Sequence, residues 1–85
     1  MNIYISGASS GIGEYLAYEY ASKGCTLGLS ARREDRLVAV SDRCRELGAI
    51  VHTYSFDVSD QNLSRNVALD FIDNAGGIDI VIANA

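Results

Sequence analysis

A doubly wound α/β fold, with helices packed on a parallel sheet, is predicted for this chain by three observations. Short apolar runs alternate with segments of helical period along the whole of its 85 residues. The helical segments stop at glycine, at Gly24, Gly48 and Gly76-Gly77. The first apolar run passes through a glycine-rich segment, Ser6-Gly7-Ala8-Ser9-Ser10-Gly11-Ile12-Gly13, directly into a helix.

The first strand is read over Asn2–Ser6, where Ile3-Tyr4-Ile5 is apolar throughout. The first helix runs from about Ile12 to Lys23, with Leu16, Ala17, Tyr20 and Ala21 on the face that packs on a sheet. A second strand, Cys25–Ala31, leads into the basic pair Arg32-Arg33. A charged helix then spans Glu34–Leu47, with Leu37, Val40, Cys44 and Leu47 on one side. Ile50–Phe56 forms the third strand, and Asp57-Val58-Ser59-Asp60 turns the chain, with Ser59 a candidate helix cap. In the third helix Leu63, Val67 and Phe71 recur at one-turn spacing, with Ala68 and Ile72 beside them. Ile78–Ala83 is the fourth strand. Right-handed crossovers and a Rossmann-type order give a 3-2-1-4 sheet with its ligand at the carboxyl ends of the strands.

Bulk properties exclude several classes. A net charge of -4 is wrong for a general nucleic-acid binder. No apolar stretch approaches the roughly 20 residues of a membrane span. The start lacks the basic-then-apolar layout of a signal peptide, so a cytoplasmic location is expected. Cys25 and Cys44 have no metal-type spacing and are read as reduced thiols; no metal site is expected. His52, the only histidine, falls in a strand pattern and is read as structural.

The glycine segment carries the chemistry. Its spacing is Gly-x-x-x-Gly-x-Gly, from Gly7, Gly11 and Gly13, which is neither Gly-x-Gly-x-x-Gly nor a Walker loop. Gly7 permits a sharp exit from the strand, Gly11 lets backbone approach a phosphate, and Gly13 lets the helix pack close to the sheet. The N–H of Ile12 and the hydroxyls of Ser9 and Ser10 lie at the same rim. Together they form a seat for a pyrophosphate at the positive end of a helix. A glycine-rich turn without a ligand is the alternative.

The end of the second strand selects the cofactor. A carboxylate there would accept from the adenosine ribose of NAD(H), but the sequence reads Ser30-Ala31-Arg32-Arg33. A guanidinium is a planar fork of donors suited to phosphate. NADP(H) is therefore expected, with Arg32 the main reader of the 2′-phosphate and Ser10 or Arg33 assisting; a solvated basic pair is the competing account. Asp57-Val58 closes the third strand on the same side, where Asp57 can accept from the adenine amino group or simply enter the next helix.

These segments, with Asn84-Ala85, resemble the N-terminal half of the short-chain dehydrogenase/reductase family. The resemblance spans the chain. It departs at Ala83-Asn84-Ala85, where the family carries Asn-Asn-Ala-Gly; Asn84 is the matching cofactor-side residue. It implies that residues 1–85 are the N-terminal part of one NADP-binding domain. It also implies hydride transfer between NADP(H) and an alcohol or ketone, and a homo-oligomeric full-length protein. The family's catalytic Ser, Tyr and Lys are not carried over. Its Tyr-x-x-x-Lys needs a lysine, and the only one, Lys23, follows Glu19 by four residues. Tyr15, Tyr18 and Tyr20 are expected to pack or to face solvent. No turnover is expected from these residues alone, and an open apolar edge at Ile80-Val81-Ile82 and unpartnered Val67 and Phe71 are expected to favour aggregation. A non-catalytic NADPH-sensing module and a partner-binding fragment are the rival functions.

Overall fold

Four parallel strands, β1 (Asn2–Ser6), β2 (Thr26–Ala31), β3 (Ile50–Ser55) and β4 (Ile80–Ala83), lie in the order β3-β2-β1-β4. They are joined by α1 (Gly11–Ala21), α2 (Glu34–Glu46) and α3 (Gln61–Ala75). The computed structural model describes residues 1–84; Ala85 of the closing Ala-Asn-Ala segment lies outside them. The expected strand order is the observed one.

Register explains the two faces. Ile3 pairs with Leu27 and Leu27 with Val51, and side chains alternate along each strand. Ile3, Ile5, Leu27, Leu29, Ala31 and Val51 therefore share one face, sealed by Ala17 and Ala21 of α1 and Leu37, Val40 and Cys44 of α2. The opposite face is aromatic: Tyr4 and Tyr54 surround Phe71 of α3, and the His52 ring meets Phe71 edge-on at 5.9 Å. Gly28 leaves the space for that ring. A Cβ there would lie 2.7 Å from Phe71 Cδ1 and 2.9 Å from Tyr4 Cδ2.

Element ends differ from expectation in instructive ways. The first helix starts one residue early, at Gly11, and stops at Ala21, because Ser22 and the tight turn at Gly24 take over the last carbonyls. Cys25 precedes β2 rather than opening it, and Phe56 follows β3 while its N–H still donates to Ala31 O at 3.1 Å. Leu47 caps α2 instead of ending it. Asp60, not Ser59, caps α3: its Oδ1 accepts from Leu63 N–H at 3.0 Å. Ser59 instead donates its own N–H to Asp57. The fourth strand begins at Ile80, since Asn2 draws the preceding segment into a turn: its Nδ2 donates to Ala75 O and Gly77 O at 2.9 and 3.1 Å.

Val67 and Phe71, expected to be left without partners, are buried on the sheet. β4 is the outermost strand among the described residues: Val81 is 62% exposed, and Ile80 and Ile82 are half-buried. Cys25 and Cys44 are free, buried thiols, and burial pushes Cys44 up to about 11. Among the described residues no helix is long and apolar enough to cross a membrane, and no cluster of His, Cys, Asp and Glu has a metal-binding arrangement.

Candidate cofactor-binding site

The carboxyl ends of β1, β2, β3 and β4 converge on one cavity of about 210 Å³, lined by Gly7, Ser9, Ala31, Arg32, Phe56, Asp57, Val58 and Asn84. Six of these were expected from sequence as site residues. Ala31 and Phe56 were not; the parallel pairing of Ala31 with Ser55 puts both at the rim.

Gly7 lies at φ 66, a left-handed conformation that side chains rarely adopt, and any Cβ on it would run into Asn84 O. The chain thus leaves β1, reverses and enters α1 within a few residues. A Cβ on Gly13 would strike Gly7 O and come within 2.8 Å of Asn84 Nδ2. Gly13 is therefore needed for packing against the loop itself, rather than against the sheet. Ser10 is the extended residue before α1; its hydroxyl caps nothing. The N–H groups of Gly11, Ile12 and Gly13 have no intrahelical acceptor, as at the start of any α-helix, and Ile12 is 68% exposed.

Asn84 holds this loop in shape. Its Nδ2 donates to Gly7 O at 3.0 Å and Ser10 O at 3.4 Å, and its backbone N–H donates to Ser6 Oγ at 3.3 Å. Sequence reasoning marked Asn84 as a site residue but missed this grip on the loop. The signal is absent from any local pattern, because the bonded residues are 74 to 78 positions apart.

Arg32 stands at the end of β2 with its side chain 78% exposed, and its Nη2 donates to Asp57 Oδ2 at 3.0 Å. The Ser59 amide, donating to Asp57 Oδ1, and the Arg32 guanidinium hold the Asp57 carboxyl below its ordinary value. Arg33 is not brought to the cavity. It precedes α2 and pairs with Asp35 at 3.3 Å. A second hollow, of about 260 Å³, lies beyond Ser9 between α1 and α2, where Glu14 and Asp35 make it a poor seat for an anion. Tyr18 donates to Glu14 at 2.9 Å there and is pushed up to about 12, by burial first and that carboxylate second. Tyr15 is exposed.

Three features of the site suit a phosphorylated nucleotide: free N–H groups at a helix start, glycines where a Cβ would collide, and a guanidinium beside an apolar slot. The Asp57 carboxylate in the same lining opposes an anion and is offset by its pairing with Arg32. The family model for short chain dehydrogenases matches residues 1–85. The 11-beta-hydroxysteroid dehydrogenase-like 4A of Arabidopsis thaliana is 48% identical over 84 residues, 98% of this chain and 28% of that relative. Among solved structures, a 3-ketoacyl-ACP reductase from Sinorhizobium meliloti 1021 superposes with a TM-score of 0.91 at 35% identity, covering all of this chain and 33% of that one. An NADH-dependent reductase complexed with NAD superposes at 0.86 with 27% identity, covering 99% and 35%. The chain thus spans about a third or less of the proteins it matches. Family match, strand order and glycine cradle agree, and the chain belongs to the short-chain dehydrogenase family, whose members work with a nicotinamide dinucleotide and a small-molecule substrate.

Proposed function

We propose that this chain is the NADP(H)-binding part of an oxidoreductase that moves hydride between NADP(H) and an alcohol or carbonyl compound. The observation that carries the choice of cofactor is the exposed Arg32 guanidinium at the mouth of the cavity, where β2 ends without a carboxylate of its own. The N–H groups of Gly11, Ile12 and Gly13 receive the pyrophosphate. Ser9 and Arg32 face the phosphorylated ribose, with the Ser10 hydroxyl at the rim; Arg33 is better assigned to the start of α2. Phe56, Val58 and Asp57 receive the adenine, and Asn84 keeps the loop in its binding shape.

When bound, the cofactor supplies the hydride. The residues of this chain bind and orient it; proton exchange with the substrate falls to residues beyond the sequence motifs found here. A cytoplasmic, homo-oligomeric whole protein is part of the same proposal.

One good charge-assisted contact is worth about 1.5–3 kcal/mol, or at least roughly a tenfold preference. Calorimetric titration of the folded protein with NADPH and NADH tests this directly. NADPH should bind at least about tenfold more tightly; equal affinities overturn the choice of cofactor.

A further inference from the structure

We propose that Asp57 is a positioning residue for Arg32, holding its guanidinium as a wall of the adenosine cavity and so setting the preference for a 2′-phosphorylated nucleotide. This rests on the NADP(H) reading above and adds a residue that acts on specificity through another.

Four observations support it. The Arg32 side chain bonds to Asp57 and to no other side chain among the described residues, and at 78% exposure nothing else restrains it. The contact uses Nη2 alone, on Oδ2 alone. A guanidinium carries five N–H donors, so the pairing leaves most of the fork free for a phosphate. Asp57 is itself fixed, because Ser59 N–H donates to its other oxygen at 3.0 Å. Finally, both residues line the same cavity while the neighbouring Arg33, paired with Asp35 at the start of α2, does not. The two arginines differ in which carboxylate holds them, and only the one held by Asp57 stands at the nucleotide. An unpaired arginine side chain would sample many rotamers, and ordering it on binding would weaken affinity.

The test compares adenosine 2′,5′-bisphosphate with adenosine 5′-monophosphate by calorimetry on the protein and its variants. Adenine contacts made by Asp57 are common to both probes and cancel in the ratio of their dissociation constants. Asp57→Asn, which keeps the oxygen that accepts from Ser59, should lower the preference for the bisphosphate about three- to tenfold. In an Arg32→Ala background the same change should leave the ratio unaltered, and Asp57→Glu should restore most of the preference. Matching thermal melts for wild type and variants establish that each is folded. A preference that survives or increases in Asp57→Asn overturns this inference alone. A wild-type protein with no preference overturns the NADP(H) reading and this inference with it.

Discussion

The two ends of the sheet are built with the same device and finished differently. At the amino end, Asn2 gives its side-chain amide to Ala75 O and Gly77 O, and Asp79 accepts the Asn2 N–H at 2.7 Å. At the carboxyl end, Asn84 gives its amide to Gly7 O and Ser10 O. Each asparagine ties a strand end to a distant turn. The amino end closes its donors and acceptors on one another. The carboxyl end leaves the α1 N–H groups and the Ser10 hydroxyl unspent, and most of the Arg32 fork unspent on the lining of a cavity that Ser10, Gly11, Ile12 and Gly13 do not themselves line. The proposed ligand-binding end thus differs from the other in what its scaffold leaves unpaired, while the two asparagine ties are alike.

The harshest way to break the comparison is Gly7→Ala. It combines a positive φ with a collision against Asn84 O, for which no rearrangement of a flexible side chain provides relief. A loss of about 2–4 kcal/mol is expected from strain and overpacking together. A urea midpoint close to that of wild type would show that the loop relaxes freely.

The comparison is sharpened by pairing Asn84→Ala with Asn2→Ala. Each removes two side-chain hydrogen bonds to carbonyls, and each should cost about 1–3 kcal/mol. Their effects on NADPH titration should diverge: Asn84→Ala weakens binding at least about tenfold, and Asn2→Ala, at the far end, leaves the affinity of the remaining folded protein unchanged. Equal losses in both variants would mean that binding follows global stability rather than loop shape.

The smallest effect is electrostatic. Asp57 is held below 3.8 in the folded protein by the Ser59 amide and Arg32. A carboxyl group with a depressed folded pKa stabilises the fold above its unfolded pKa, and that contribution disappears as pH falls through the folded value. Acid titration below 3.8 should thus show a slightly steeper fall in melting temperature for wild type than for Asp57→Asn; the same slope in both would remove Asp57 from the acid transition.

Fold and site were legible in the sequence to different depths. Strand order followed from alternation and the glycine loop, since these depend on local pattern and on general rules of connection. The α3 cap shifted by one residue because Asp57, Ser59 and Asp60 are all competent turn formers, and the Asp57–Ser59 turn competed for the serine. The contact of Phe71 with Gly28 was out of reach, as no short-range spacing relates a helix ring to a strand glycine 43 positions earlier. Arg32–Asp57 lies between these extremes. Both residues sit just past the ends of adjacent parallel strands, so the register that pairs Ala31 with Ser55 brings them within reach once the strands are known to be neighbours.

The grip of Asn84 on the glycine loop also has a consequence in time. Gly7 and Ser10 are synthesised well before Asn84, whose bonds set the shape of the loop from 77 and 74 positions later. Contacts of such long sequence separation reward folding only after their chain-closure entropy has been paid. The glycine loop is therefore made before the residue that locks it, so that under the proposed NADP(H) reading nucleotide affinity acquired during refolding would serve as a clock for the docking of β4.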